Sequence, residues 1–257
     1  NSMIRNDIIS YYIILLFFPV LSVAGSLTPI LNSIQPQKIT IIGENHRHSE
    51  SVDLFQVLIK GYLKNNKCLT IALEINSHQQ PIINQVIQGR AVVSDIEISS
   101  IIDHVALRNM IDDLVTQKKN GACLEVLAID AGDDVNMERD EWMAANLAKQ
   151  IGKTPVLVLL GNLHTLKKVN WDLSMTTHGS PSVAEILNNQ GYRVDSYPQR
   201  WLETKCASPQ QLRYRFIPAD TAEALTLLNT SMFSLLNAFE PDSAIGVIDG
   251  AVLWECS

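Results

Sequence analysis

Four short stretches of the chain place carboxylates, amides and imidazoles where an apolar run ends. In "ITIIGENHRHSES" (39–51) a run of apolar and β-branched residues stops at Gly43, and Glu44, Asn45, His46 and His48 follow at once. "CLTIALEI" (68–75) carries Glu74 near its end. "CLEVLAID" (123–130) closes on Asp130 and runs on to Asp133 and Asp134, and "TPVLVLLG" (154–161) leads into Asn162 and His164. Histidines grouped with carboxylates can activate water, directly as general bases or through a divalent metal.

Glu74 is the most informative single residue. It interrupts an apolar run, and burying an unpaired carboxylate is costly. It therefore needs a metal, an imidazolium or an arginine, or, as a purely structural alternative, backbone amides. Arg139 in "ERDEWMAANL" (138–147) is a candidate partner. A cation at a helix start opposes the macrodipole, so it calls for a compensating anion, Glu44 or Glu74. Asn146 lies seven residues on, which puts it on the same helix face. The candidate catalytic set is His46, Glu44, Glu74, Arg139 and His164. Asn162, Asn146 and Asp130 are candidates for binding substrate, and His46, Glu74 and His164 for binding a metal. His48, two positions from His46, should point away on an extended loop, to the surface or to a supporting contact. His78, His104 and His178 have no comparable context.

The elements that would position these residues follow from periodicity. Strands are expected over 38–43, 68–75, 123–130, 154–161 and 192–198, with a closing strand over 250–255. Helices are expected over 49–65 (capped by Ser49 or Ser51), 79–89, 94–103, 105–121 (ended by Gly121), 134–152, 180–191 and 220–239. The strands are continuous apolar runs rather than alternating ones, so both of their faces should be buried. Strands alternating with helices of this length imply an α/β fold, a mostly parallel central sheet with helices on both faces. Ligands of such sheets bind outside the carboxyl ends of the strands, which is where all four polar stretches fall.

Composition narrows the classes. The chain has 257 residues, 46% of them hydrophobic, enough for one sizeable core, and a formal net charge of −7 that argues against nucleic acid as a partner. No GxSxG elbow, Walker loop, GxGxxG or HExxH is present. Residues 1–24 have the pattern of a secretory signal peptide, a weakly basic start, the apolar stretch 8–21 and small residues up to Ala24. They are expected to be cleaved, leaving an exported single domain over 25–257. Left uncleaved, they would be the chain's route to a membrane. Export makes disulfides permissible. Of the four cysteines, Cys68 and Cys123 each precede a strand and Cys206 and Cys256 share the C-terminal quarter, so the pairs 68–123 and 206–256 are expected; four reduced, buried thiols are the alternative.

"IIGENHRHSES", "ALEI", "ERDEWMAANL" and "VLVLLGNLHT", in that order, resemble the superfamily that joins erythromycin esterases, Tiki/TraB proteins and ChaN-like haem-binding proteins. The shared elements are a Gly-x-x-His after the first strand (Gly43–His46), a Glu in the second (Glu74), an Arg-led helix (Arg139–Asn146) and a second Gly-x-x-His (Gly161–His164). The resemblance spans about residues 38–200. It implies an exported hydrolase of an ester, lactone or peptide. In the Tiki manner this would use a divalent metal (manganese, cobalt or zinc) on the two histidines and Glu74. In the esterase manner it would use His and Glu without one. The ChaN manner implies instead a haem- or iron-binding uptake protein without catalysis. No cysteine follows the signal to carry a lipid, and the chain has no room for the esterases' extra helical lid.

Overall fold

The computed structural model describes residues 26–46, 48–64, 66–132, 135–169, 181–202, 206, 212–230 and 241–256. The expected signal peptide, Asp133, Asp134, His178 and the second half of the helix expected over 220–239 lie outside them.

The chain begins with a short helix α1 (Thr28–Ser33), then β1 (Ile39–Glu44), α2 (Glu50–Leu63), β2 (Leu69–Asn76), α3 (Gln80–Ile87) and α4 (Val105–Lys119). It continues through β3 (Leu124–Asp130), α5 (Arg139–Ala148), β4 (Val156–Gly161), α6 (Val183–Asn189) and β5 (Val194–Tyr197). The C-terminal part holds β6 (Gln199–Trp201), β7 (Leu212–Pro218), α7 (Ala222–Thr230) and β8 (Gly250–Cys256). Five strands form a central, wholly parallel sheet in the order β3-β2-β4-β1-β5.

Alternate residues of the central strands supply two cores. Ile42, Leu73, Leu157 and Leu159 pack with α2, α3 and α4 on one face. Ile39, Ile41, Val156, Val158 and Leu160 pack with α5 and α6 on the other. Both faces of β1 and β4 are therefore buried, as continuous apolar runs require. Edge strand β3 instead alternates, with Glu125 exposed. After β1 the chain moves to the α2 face, and after β4 to the α6 face. The connections diverge between these two adjacent strands, where parallel sheets open a crevice.

Several details differ from the expected elements. No helix forms over 94–103; only Val93–Asp95 makes a 3₁₀ turn. The Arg108 guanidinium donates to the carbonyls of Val93 (2.9 Å) and Ile96 (3.5 Å), beside the Ile96 N–H that closes the turn onto Val93. The helix expected from 134 starts only at Arg139 and ends at Ala148, short of Gly152. Ser49 occupies the N-cap position of α2, as expected, but its side chain makes no capping bond, and the Ser51 hydroxyl accepts from the Asn45 N–H at 3.3 Å. His104 has a definite task, its Nδ1 capping α4 at the Leu107 N–H. Gly121 ends α4 in the left-handed region (φ 91°), as expected.

Two strands were not anticipated. β6 and β7 flank β8 in a second, three-stranded sheet, β6 parallel and β7 antiparallel to it. The arginines of β7 hide its pattern: Arg215 reaches sideways to Glu223 and Glu255. Among the described residues no helix is long and apolar enough to cross a membrane.

Both expected disulfides form, Cys68–Cys123 between the starts of β2 and β3, and Cys206–Cys256 at the end of β8. They close loops of 55 and 50 residues. Restricting the unfolded chain over such lengths stabilises the fold by about 4 kcal/mol each in the chain-entropy account. A Cys68→Ser/Cys123→Ser variant should lose about 2–4 kcal/mol in urea unfolding; an unchanged midpoint would mean that the bridge contributes nothing to the fold.

Candidate functional site

The β1–β4 register sets Glu44 opposite Gly161, so the two Gly-x-x-His turns leave the sheet side by side. Each glycine makes room for the other turn. A Cβ on Gly161 would lie 3.2 Å from His46 Nε2 and 3.5 Å from His164 Cδ2. A Cβ on Gly43 would overlap the Asn162 amide oxygen and sit 2.9 Å from Pro198 Cα. The glycines thus set how closely the two imidazoles flank the end of β4.

Glu74, 7% exposed, is the buried charge of the site. Its Oε2 accepts the Gly161 N–H at 2.7 Å. Its Oε1 accepts from Arg139 Nη2 and lies 3.9 Å from His164 Nε2. Burial pushes the carboxyl pKa up, but His164, Arg139, the Gly161 N–H and His46 outweigh it and hold the pKa below the ordinary value. Arg139, first residue of α5, also forks onto Asp130, with Nε to Oδ1 at 2.7 Å and Nη2 to Oδ2 at 2.9 Å. The cation at this helix start is thereby neutralised by two anions. Its Nη1 stands 3.3 Å from His164 Nε2, and the side chain is 45% exposed, so it fronts the crevice.

The two histidines are each oriented by a carboxylate. Glu44, 5% exposed, contacts His46 Nδ1 at 2.5 Å. This hydrogen bond, then the charge of Glu74, raises the His46 pKa above 6.5 against burial and Arg139. His164 Nδ1 contacts Asp140 Oδ2 at 2.8 Å, and the same oxygen accepts the Val183 N–H at 3.2 Å. For His164 burial is the largest influence and lowers the pKa. Asp140 and Glu74 overcome it, so this ring too keeps its proton to higher pH than a free histidine.

The structure thus brings Glu44, His46, Glu74, Asp130, Arg139 and His164 together at the carboxyl edge. Asp130 is held by Arg139 rather than open to a ligand. Asn162 has its amide on the Gln199 backbone, donating to the carbonyl at 2.8 Å and accepting the N–H at 2.9 Å. Asn146 lies against the Ile129 carbonyl (3.5 Å) and Lys149 (3.2 Å) instead of among the site groups. Residues beyond the expected set also take part. Asp140 follows Arg139 directly, and that adjacency was the available signal. Gln199, buried, sends its Nε2 to the Gly43 carbonyl at 2.7 Å, and nothing local marks it. His48 lies on a turn rather than an extended loop and stacks on Trp201 at 4.2 Å between centroids.

Among the described residues no three His, Cys, Asp or Glu side chains stand close enough to hold a metal ion. The expected ligand atoms have other partners: both Glu74 oxygens accept hydrogen bonds, and His164 Nε2 faces a guanidinium. His46, Glu74 and His164 in this arrangement do not fit a divalent metal. A small, partly open cavity of about 10 Å³, walled by Glu44, Glu74, Ile102, Leu107 and three further apolar side chains, has room for about one water.

No family model and no curated protein sequence matches the chain. Solved structures do share its fold. A Bacillus cereus protein superposes with a TM-score of 0.58 at 11% identity, over 90% of this chain and 92% of its own. Erythromycin esterase EreC in its open conformation gives 0.55 at 11%, over 88% and 92%. ChaN of Campylobacter jejuni, solved with cofacially bound haem, gives 0.51 at 10%, over 88% and 91%. The chain has an erythromycin-esterase/ChaN-like fold.

The Glu74 hub generates a stability prediction. A carboxyl whose folded pKa is depressed stabilises the fold above its unfolded pKa of about 4.5 and loses that contribution as pH falls through the folded value. Glu74→Gln should cost about 2–3 kcal/mol at pH 7, because an amide N–H then opposes Gly161 N–H or Arg139. The variant's stability should also fall less on acidification. Parallel stability–pH curves from denaturant titrations would sink this account.

Proposed function

We propose that this protein is a hydrolase in which His46, oriented by Glu44, takes the proton of an attacking water. One observation carries the reading: the 2.5 Å contact between buried Glu44 and His46 Nδ1. A carboxylate there accepts the Nδ1 proton and leaves Nε2 as the basic nitrogen, facing the crevice beside Gly161. Arg139, whose side chain is 45% exposed and whose Nη1 is not taken by Glu74 or Asp130, is the cation that would receive the oxyanion developing on a carbonyl. His164, held at Nδ1 by Asp140, lies beside Glu74 at the same crevice, and these two carboxylates raise its pKa above the ordinary value. The substrate class is an ester, lactone or peptide of a small molecule or short chain, and the reaction as derived from these side chains runs by general-base chemistry.

We also propose that the chain is exported, with cleavage near Ala24. Two disulfides suit an oxidising compartment, which supports this placement.

A second reading, a haem- or iron-binding uptake protein without catalysis, draws on the likeness to haem-bound ChaN. It predicts a Soret band on adding haemin. The hydrolase reading predicts a flat titration at micromolar haemin, and a saturable band would move weight to the alternative.

His46→Ala should lower kcat/KM for a hydrolysed ester about 10²–10⁴-fold. Its melting temperature should stay within a few degrees, because the ring is partly exposed. A base must be neutral, so activity should rise with pH through the raised His46 pKa, placing the acid limb above 6.5. Glu44→Gln removes the main cause of that rise and should move the limb to lower pH. A limb that stays put would assign it to another group.

A further inference from the structure

We propose that the C-terminal three-stranded sheet positions the His46 base, through Gln199 and through the stack of His48 on Trp201. The inference rests on the hydrolase reading of the site, and it concerns residues that touch neither water nor substrate.

The turn that carries Glu44 and His46 is held at both ends by one side chain. Gln199, 2% exposed at the start of β6, donates from Nε2 to the Gly43 carbonyl at 2.7 Å and to the Ser51 carbonyl at 3.3 Å. Its Oε1 accepts the Trp254 indole N–H of β8 at 2.8 Å, and its backbone is clasped by Asn162. Rotating this amide would leave several buried polar groups unpaired at once, so it is a rigid anchor.

Between those ends the turn has a second anchor. The His48 ring lies 4.2 Å from the Trp201 ring at an interplanar angle of 22°. Trp201 in turn stacks on Trp254 at 5.7 Å and 6°, and Tyr214 of β7 meets Trp254 edge-on at 5.2 Å. The two indoles are 9% and 6% exposed, so they present a fixed surface. Trp201 Nε1 has no hydrogen-bond partner among the described residues, which leaves packing to hold that ring. His46 sits two residues before His48, between the anchors, and a displacement of about 1 Å of a reacting group can cost about 100-fold in rate. Gln199 and His48 are therefore positioning residues.

The test uses the full chain and the variants His48→Ala, His48→Phe and Gln199→Met, each studied well below its melting temperature. The readout independent of turnover is the downfield proton resonance of the His46 Nδ1–H against Glu44, assigned by its absence in His46→Ala. In His48→Ala this resonance should weaken or move upfield, and kcat on an ester should fall about 100-fold with KM little changed. His48→Phe, which keeps a ring on Trp201, should restore both. Gln199→Met should resemble His48→Ala; if it does not fold, the His48 pair decides. An unmoved resonance and unchanged kcat in His48→Ala would overturn the proposal, as would a Phe variant no better than Ala. A resonance that responds as expected in a protein that hydrolyses nothing would uphold the positioning and sink the hydrolase. Hydrolysis with an indifferent resonance would do the reverse.

Discussion

A carboxylate set into the wall of an apolar parallel sheet must be compensated, and the compensation of Glu74 organises this molecule. Its solvation is lost, and three groups from different elements replace water: the Arg139 guanidinium from α5, the Gly161 N–H from β4 and the His164 ring beyond it. Each is tied onward. Arg139 is shared with Asp130 at the end of β3, and His164 with Asp140, which also receives the N–H that starts α6. One buried charge thus links β2, β3, β4, α5 and α6 at the edge where chemistry is possible. The alternating charges hold the Glu74 pKa below its ordinary value and those of the two imidazoles above theirs.

A second constraint is closeness. The Gly-x-x-His turns can stand together only because each glycine has no side chain where the other turn arrives. The second sheet completes the frame from outside the central one. Gln199 reaches back to β1, and Asn162 reaches out to Gln199. Asn162 belongs to the frame of the site as much as to its surface. A fold of this kind is shared by an esterase and a haem-bound protein, so the architecture alone selects neither chemistry. Here a guanidinium lies against the very atoms a metal would need, and a carboxylate–imidazole pair lies beside it. That pairing is the argument for general-base chemistry.

Much of this was legible residue by residue. Glu74 announced itself, because a carboxylate in an apolar run has few solutions, and Arg139 was identifiable as its partner from its place at a helix start. The pair Cys68–Cys123 was suggested by two cysteines that each precede a strand and Cys206–Cys256 by their shared C-terminal quarter, and only the fold decided for these bridges over reduced thiols. In place of the helix expected over 94–103 only a 3₁₀ turn forms at Val93–Asp95, and the Arg108 guanidinium of α4 packs onto the Val93 and Ile96 carbonyls there, a tertiary contact that local periodicity does not encode. β7 escaped notice because Arg213 and Arg215 interrupt its apolar residues, and only the fold supplies Arg215 with Glu223 and Glu255 as partners. Asn146 shares a helix with Arg139, but its amide turns to a backbone carbonyl of β3 rather than to the site.

The sequence by itself determined the class of the fold and the stock of groups at the carboxyl edge. Apolar runs that end in polar residues are local patterns, and the penalty for burying charge is the same in any fold. Only the tertiary structure decided that β4 lies between β1 and β2, which sets His46, Glu74 and His164 around one glycine. It alone decided that Asp140 orients His164 and that Gln199 anchors the His46 turn. Strand order and hydrogen-bond partners are long-range properties. Several apolar strands are interchangeable to local physics, and an amide or carboxylate does not encode which of many distant donors and acceptors the packed chain will bring to it.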